Sequence, residues 1–201
     1  MPQPAGPVAA IILAAGSSTR MGRNKLLLDV GKQPLVRRTV AAALDAGLHP
    51  VIVVLGHEAE RVRAAIAGLG CRTVINREHA LGMRVSLQAG VRAVPQDARG
   101  AVVILADMPF VTASMIRAVA ERFVAGDAPL VVSEYGDVSA PPTVYDRSLF
   151  PELLAMTGEG SGKQVLLRHR HQAAVVAWPE QALADVDRPE DYERIGAALA
   201  E

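Results

Sequence analysis

The sequence predicts an α/β domain built on a mainly parallel, doubly wound sheet, and two observations carry this prediction. The first is a series of short apolar runs without polar alternation, which is typical of strands buried on both faces. The second is that stretches rich in Ala, Arg and Leu, with the spacing of helices, separate those runs. Strands and helices that alternate in this way form right-handed β-α-β crossovers.

Each strand and helix has its own signal, in order along the chain. The apolar runs predict six strands at Val8–Ala15, Val51–Leu55, Thr73–Ile75, Ala101–Ala106, Leu130–Val132 and Ala174–Ala177. The stretches between them predict five helices at Pro34–Ala46, Glu58–Ala67, Met83–Ala93, Ala113–Val124 and Pro189–Ala200. Gly47 can close the first helix in the left-handed conformation, and Thr112 is placed to cap the fourth.

Length and composition indicate one globular domain over residues 1–201. Lys and Arg total 21 and Asp and Glu total 21, so the net charge of zero argues against a dedicated nucleic-acid binder. Cys71 is the single cysteine, which excludes a disulfide within the chain. From about 133 to 162 the alternation breaks down around several Pro and Gly residues, which predicts a small lobe on the main sheet.

The apolar runs are too short for a membrane span. The longest, Val8–Ala15, has eight residues, whereas a spanning helix needs about 20. Residues 1–7 contain no basic residue and no signal-peptide core of the usual length. A soluble, cytoplasmic protein without a membrane partner is therefore expected.

The loop after the first strand is the strongest candidate for a binding site, because ligands of open α/β sheets bind beyond the carboxyl ends of the strands. Gly16 and Gly22 allow tight curvature and close approach of backbone amides to an anion. The hydroxyl and cationic side chains of this loop are Ser17, Ser18, Thr19, Arg20, Arg23 and Lys25. A polyphosphate suits this loop, although a solvated turn with scattered charges is the alternative. The spacing is neither that of a Walker A loop nor that of a dinucleotide fingerprint.

Two acidic segments are candidates for a divalent metal. Asp107 follows the buried run 101–105, and Mg²⁺ in proteins takes one or two carboxylates together with phosphate oxygens and water. Asp185 and Asp187 alternate around Val186, so they face opposite ways on a short strand and one of them can point to the metal. The alternatives are a turn cap for Asp107 and an acidic first helical turn for the other segment.

A further segment joins a strand to a helix, Asn76 to Ser86, and its polar groups are suited to a nucleobase. An ordinary loop is the alternative interpretation. The histidines, the cysteine and the single tryptophan are interpreted as structural or surface residues.

Four of these segments, taken in their order along the chain, resemble the motifs of the MobA-like nucleoside-triphosphate transferases. Residues 13–25, Leu-Ala-Ala-Gly-Ser-Ser-Thr-Arg-Met-Gly-Arg-Asn-Lys, resemble the opening motif L-A-[AG]-G-x-S-x-R-[MF]-G-x-x-K. Residues 82–90 are similar to G-M-x-x-S-[LI]-x-x-G, and residues 106–109 to [AG]-D-x-P. Residues 185–191 are similar to D-[IV]-D-T-P-E-D, with Arg188 in place of threonine.

Within this family, the sequence most resembles the molybdenum cofactor cytidylyltransferase, or MocA-like, branch. The Leu-Ala-Ala-Gly start at residue 13 favours this branch, since guanylyltransferases usually have Leu-Ala-Gly-Gly there. Residues 148–154 also resemble it. One segment departs from the pattern: residues 139–143 read Ser-Ala-Pro-Pro-Thr, where cytidylyltransferases of this kind usually carry Gly-x-Pro toward the acceptor.

The resemblance implies a Rossmann-like three-layer fold of the nucleotide-diphospho-sugar transferase type. It implies transfer of CMP from CTP to the phosphate of molybdopterin, with release of pyrophosphate and with a molybdoenzyme or chaperone as a possible partner. The alternatives are another nucleotide such as GTP, another acceptor such as a sugar-, polyol- or lactate-phosphate, or a non-catalytic nucleotide-binding partner in molybdoenzyme maturation. A nicotinamide-dependent dehydrogenase would need a glycine fingerprint that this sequence lacks.

The resemblance also implies roles for individual residues. It makes Lys25, Arg20 and Asp107 catalytic, and it makes Asp107 and Asp187 ligands of Mg²⁺, for which Mn²⁺ can substitute. The nucleotide-binding residues that it implies are Leu13, Ala14, Ala15, Gly16, Ser17, Ser18, Arg20, Met21, Gly22, Lys25, Gly82 and Ser86.

Overall fold

The computed structural model describes residues 6–18, 21–158, 162–184, 186 and 189–198. These residues contain seven strands: β1 (Val8–Ala14), β2 (Val51–Leu55), β3 (Cys71–Ile75), β4 (Gly100–Leu105), β5 (Leu130–Tyr135), β6 (Val138–Asp146) and β7 (Ala173–Trp178). The α-helices among them are α1 (Leu35–Asp45), α2 (Ala59–Ala65), α3 (Met83–Ala93), α4 (Ala113–Val124), α5 (Phe150–Ala155), α6 (Lys163–His169) and α7 (Pro189–Ala198). None of the helices described is long and apolar enough to cross a membrane.

All seven strands belong to one sheet with the order β3-β2-β1-β4-β6-β5-β7. β1 pairs in parallel with β2 and β4, β2 with β3, and β5 with β7. Only β6 runs antiparallel to both of its neighbours, β4 and β5, among the strands described here. The prediction of a mainly parallel, doubly wound sheet is therefore confirmed.

Several local predictions are also confirmed. The bounds of α3 and α4 are those predicted from the periodicity. Thr112 caps α4, because its hydroxyl oxygen accepts a hydrogen bond from the Met115 amide at 3.3 Å. Gly47 follows α1 with a φ of 82°.

The stretch 133–162 differs from the expected lobe, since residues 133–146 lie within the main sheet. The prolines Pro141 and Pro142 caused the error, because proline removes a ladder hydrogen bond and argues against a strand. In the structure they coincide with a register shift between Val132 and Ser133 of β5. They also lie outside the segment of β6 that pairs with β4, which begins at Thr143. Prolines are tolerated at such irregular positions.

The two faces of the sheet bury two separate apolar cores. Alternate residues of β1 divide between them, so that Ile12 packs with α1, α2 and α4 while Ile11 packs with α3, α5 and α6. Both residues have no exposed surface. The helices thus cover both faces of the sheet, and its carboxyl edge remains available to loops.

Gly90 lets α3 approach the sheet closely, which gives the first testable prediction. A Cβ at position 90 would lie 2.4 Å from Ile11 Cγ2 and 3.1 Å from Val54 Cγ2, both in the buried core. We expect Gly90→Ala to lower the free energy of unfolding by about 1 kcal/mol or more, because overpacking outweighs the helix-propensity gain of alanine. Urea denaturation measures this, with Arg92→Ala on the same helix as a control. An unchanged or raised stability of Gly90→Ala would contradict the close approach.

Candidate functional site

A cavity of about 320 Å³ opens at the carboxyl edge of the sheet, beyond β1 and β4. Three segments surround it: the loop after β1, the loop after β4, and the connection that leads into α3. Its lining residues are Leu13, Ala15, Gly16, Ser17, Ser18, Lys25, Leu26, His79, Ala80, Gly82, Met83, Ser86, Leu105 and Asp107. This is the edge at which open α/β sheets bind their ligands.

The loop after β1 is shaped by left-handed residues and by its own side chains. Ser18 has a φ of 52° and Gly22 a φ of 65°. The Ser18 hydroxyl accepts a hydrogen bond from the Lys25 amide at 3.2 Å, and the Ser18 carbonyl accepts one from the Met21 amide at 2.9 Å. Asn24 then caps the short 3-10 helix Lys25–Leu27 through its side-chain oxygen, which accepts from the Leu26 amide at 3.1 Å. These contacts close the loop and place Lys25 at the wall of the cavity.

Lys25 and Asp107 form an ion pair across this cavity. Their Nζ and Oδ2 atoms are 2.6 Å apart, and the side chains are 13% and 21% exposed. Lys25 comes from the loop after β1 and Asp107 from the loop after β4, and these strands are parallel neighbours. The pairing therefore follows from the topology, since the carboxyl ends of neighbouring parallel strands meet at one edge.

The wall on the α3 side is built by a glycine and a buried polar pair. Gly82 has a φ of 100°, a conformation that side chains disfavour, and nothing lies within 4 Å of the position of a Cβ there. Ser86, on the first turn of α3, is buried and its Oγ accepts a hydrogen bond from Asn76 Nδ2 at 3.0 Å. Asn76 Oδ1 in turn accepts from the Glu78 amide at 3.0 Å. Ser86 is thus fixed in place, with its hydroxyl at the cavity.

The structure brings together most of the described residues that the sequence analysis singled out. Nine of them line the cavity: Leu13, Ala15, Gly16, Ser17, Ser18, Lys25, Gly82, Ser86 and Asp107. Three do not line it. Ala14 points into the core on the α1 and α4 side of the sheet, Met21 packs with Val30 and Leu35 in a small apolar cluster, and Gly22 lies at a neighbouring polar cavity.

Their positions have simple physical reasons. Ala14 faces the opposite side of the sheet from Leu13 because side chains alternate along a strand. Met21 is apolar and only 7% exposed, so it anchors the loop. Arg20 and Asp187, like Asp185, lie outside the described residues.

The sequence analysis missed Leu105, and it included His79 only as one member of the segment Asn76–Ser86 suited to a nucleobase, without a role of its own. Leu105 ends β4, so the rule that places Asp107 at this edge could have found it. His79 belongs to a short 3-10 turn and packs against Gly56, where a Cβ would lie 2.6 Å from His79 Cβ. That long-range contact leaves no signal in the local sequence.

The neighbouring polar cavity, of about 590 Å³, lies along the same loop. Ser17 and Ser18 line both cavities, and Arg23, Glu58 and Arg61 line only this one. Arg61 donates a hydrogen bond to Glu58, and this contact holds the pKa of Glu58 below its ordinary value. The loop after β1 is therefore lined by polar groups on a second side as well.

The residues at the main cavity fit a hard divalent cation that is bound mainly by its substrate. Among the described residues, no group of three His, Cys, Asp or Glu side chains is clustered so as to hold a metal by itself. Asp107 does offer a carboxylate at the cavity, and its side chain is 21% exposed. Mg²⁺ in proteins is usually held by one or two carboxylates together with phosphate oxygens of a substrate, so a single carboxylate at this cavity fits such a cation.

Comparison with known proteins places this geometry in context. The sequence-family model of the MobA-like NTP transferase domain matches residues 10–174 of this chain. The bifunctional protein GlmU of Anaeromyxobacter sp. (strain K) is 40% identical over 125 residues, which are 59% of this chain and 25% of that protein. The chain thus spans about a quarter to a third of the length of the GlmU proteins that it matches.

Solved structures match over nearly the whole chain. Rv0371c from Mycobacterium tuberculosis H37Rv has a TM-score of 0.83 and 30% identity, with 96% of this chain and 99% of that chain covered. A manganese complex of Rv0371c matches with a TM-score of 0.78 and 30% identity over 96% of this chain and 99% of that one. The sheet, the loop after β1 and the family match agree, and the chain belongs to the MobA-like NTP transferase family of nucleotidyltransferases.

Proposed function

We propose that this chain transfers CMP from CTP to the phosphate of a molybdopterin-type acceptor and releases pyrophosphate. The observation that carries the proposal is the pair of Lys25 and Asp107, 2.6 Å apart at a cavity beside a glycine-bearing loop. A cation for phosphate and a carboxylate for a divalent metal are the two groups that nucleotidyl transfer requires at one point. Membership of a nucleotidyltransferase family supports the same reaction type.

The reaction needs no nucleophile from the protein, because the acceptor phosphate already carries an anionic oxygen. That oxygen attacks the α-phosphorus in line with the leaving pyrophosphate, so the main obstacle is the accumulation of negative charge. We assign to Lys25 the neutralisation of the α-phosphate, and to Arg20 that of the β- and γ-phosphates. The backbone amides from Ala15 to Gly22 would hold the remaining phosphate oxygens.

The divalent cation is proposed to be Mg²⁺, with Mn²⁺ as a substitute. Asp107 and Asp187 would hold it beside the phosphates. When bound, it neutralises phosphate charge and favours departure of pyrophosphate. The manganese complex of Rv0371c supports a divalent cation in this family.

The base and the acceptor are assigned from the resemblance and from the polar groups around the cavity. Gly82 leaves open space beside the loop and Ser86 presents a fixed hydroxyl, so we place the cytosine against the start of α3. The Leu13–Gly16 segment favours CTP over GTP. The departure at residues 139–143 is the reason to test one alternative in particular, a different phosphate-bearing acceptor such as a sugar-, polyol- or lactate-phosphate.

Pyrophosphate release tests this function. The full chain is incubated with Mg²⁺ and with CTP, GTP, ATP or UTP separately, each without an acceptor, with molybdopterin, or with a sugar-, polyol- or lactate-phosphate. We expect release only with CTP and molybdopterin together. Release with another nucleotide would reassign the base, and release with a sugar-, polyol- or lactate-phosphate would reassign the acceptor. No release with any combination, while Mg²⁺-CTP still binds, would favour a non-catalytic nucleotide-binding partner of a molybdoenzyme or chaperone.

A further inference from the structure

A second, smaller cavity adjoins the nucleotide cavity on the α3 and α6 side of the sheet. It has a volume of about 150 Å³ and shares Leu13, Met83 and Leu105 with the larger cavity. Its remaining lining residues are Leu87, Val103, Ser139, Ala140, Pro141, Thr143, Tyr145, Gly162, Lys163 and Leu166. It therefore lies where a group bound beside the nucleotide would extend, and it includes most of the segment that departs from the family pattern.

Two largely buried residues present hydroxyl groups to this cavity. Thr143 and Tyr145 are two residues apart on β6, so their side chains share one face of the sheet. They are only 3% and 4% exposed. Neither hydroxyl forms a hydrogen bond with any residue that the structure describes. Because neither hydroxyl oxygen is completely enclosed by the protein, both are open to the cavity and can form a hydrogen bond with a polar ligand there.

The Tyr145 hydroxyl lies beside Gly162. A Cβ at Gly162 would lie 2.5 Å from the Tyr145 hydroxyl oxygen, so a larger residue at this position would press on that hydroxyl. Burial raises the pKa of the Tyr145 phenol, so the group keeps its proton and can donate a hydrogen bond. By contrast, Tyr135 on the neighbouring strand donates its hydroxyl to the Pro141 carbonyl at 2.9 Å and has no donor to spare.

The rest of the wall is mostly apolar and fits a ring. Side chains such as Leu87, Val103 and Leu166 leave few hydrogen-bonding groups for a ligand. Apart from Thr143 and Tyr145, only Ser139 and Lys163 among the described residues bring polar side chains to this wall, so a sugar with a hydroxyl on every carbon would find fewer hydrogen-bond partners here than in water, which is costly. A cavity of about 150 Å³ is the size that accommodates one six-membered ring.

We infer that this cavity receives one flat, nitrogen- or oxygen-containing ring of the acceptor, and that the Thr143 and Tyr145 hydroxyls recognise its polar edge. The inference rests on the proposed function for the identity of the acceptor site. It concerns how the acceptor is bound, not the transfer of CMP to it. It makes Thr143 and Tyr145 specificity-determining residues. It also accounts for the departure of residues 139–143 from the family pattern Gly-x-Pro. Here Pro141 forms part of the cavity wall and Thr143 supplies a hydrogen-bond donor.

Calorimetric titration of the full chain with 6-hydroxymethylpterin, and separately with ribose 5-phosphate, tests this inference. We expect the pterin to bind the unmodified chain more tightly than the sugar phosphate. Tyr145→Phe and Thr143→Val should each weaken pterin binding about fivefold to tenfold, the loss typical of one hydrogen bond. Binding of Mg²⁺-CTP should be unchanged in both variants, because the two hydroxyls lie outside the nucleotide cavity.

Thermal stability separates recognition from a structural role. Because the Tyr145 hydroxyl has no partner in the described fold, Tyr145→Phe should keep or raise the melting temperature. Tyr135→Phe is the matched control: it leaves the Pro141 carbonyl unpaired, so it should lower the melting temperature. A Tyr145→Phe chain that binds the pterin as well as the unmodified chain does would overturn the inference, as would ribose 5-phosphate binding better than the pterin, or no binding of the pterin.

The two proposals fail in different ways. An unmodified chain that binds the pterin through these hydroxyls, but transfers no CMP, would refute the proposed function alone. A chain that transfers CMP to molybdopterin with the same KM for the acceptor in both variants would refute the role of the hydroxyls alone.

Discussion

Replacing Lys25 with alanine is expected to lower turnover about 10²- to 10³-fold, the cost of losing one preorganised charge-stabilising group. Lys25 lies at the cavity wall with its Nζ atom 2.6 Å from Asp107, and its backbone amide is held by Ser18. The charge is therefore fixed before the nucleotide arrives, and among the described residues no other lysine lines this cavity. Steady-state pyrophosphate release measures the effect, with kcat falling more than the affinity for the nucleotide.

Two variants make the Lys25 experiment specific. Lys32→Ala removes an exposed lysine that lines none of the cavities described above, and it should leave turnover unchanged. Lys25→Arg keeps the charge and should retain more activity than Lys25→Ala. A Lys25→Ala chain with the turnover of the unmodified chain would remove the charge-neutralising role from this residue.

Replacing Asp107 with asparagine should weaken Mg²⁺-dependent nucleotide binding about 100-fold, the upper end of what loss of even a supporting group costs a metal site. The substitution keeps the size of the side chain and removes its charge. The carboxylate lies in the loop after β4, 2.6 Å from Lys25, to which we assign the α-phosphate. Calorimetric titration with CTP, in Mg²⁺ and in EDTA, measures the change.

The role of Asp107 is read from the difference between the CTP affinity in Mg²⁺ and the CTP affinity in EDTA. In EDTA the Asp107→Asn chain should bind CTP no worse than the unmodified chain, because a carboxylate without a cation repels phosphate. Asp127→Asn, an exposed substitution next to the start of β5 at the opposite edge of the sheet, is the control and should change neither titration. Equal Mg²⁺ dependence in Asp107→Asn and the unmodified chain would contradict a metal role for Asp107.

Much of the site could be predicted from the sequence because it depends on topology. Lys25 and Asp107 follow parallel strands that are neighbours in the sheet, so their approach follows from the order of the strands. Gly82 was found because residues 82–90 resemble a family motif, and its φ of 100° explains why glycine stands there. Such features rest on one residue type at one position, and sequence patterns show them directly.

Other features could not be predicted, because they depend on contacts between distant segments. The Pro-Pro pair at 141–142 argued against a strand, so β6 was not predicted. In the structure the register shift between Val132 and Ser133 of β5 accommodates the two prolines. Once β6 was missed, the shared face of Thr143 and Tyr145 was missed as well. The contact of His79 with Gly56 joins two loops that no periodicity relates.

The most direct test of the central claim follows the α-phosphate of the nucleotide. The full chain is incubated with [α-³²P]CTP, Mg²⁺ and molybdopterin, and the products are separated and identified by mass. We expect the label in a CMP conjugate of the acceptor, with unlabelled pyrophosphate formed in equal amount. Label that stays in CTP, or that appears only in free CMP, would contradict nucleotidyl transfer to this acceptor.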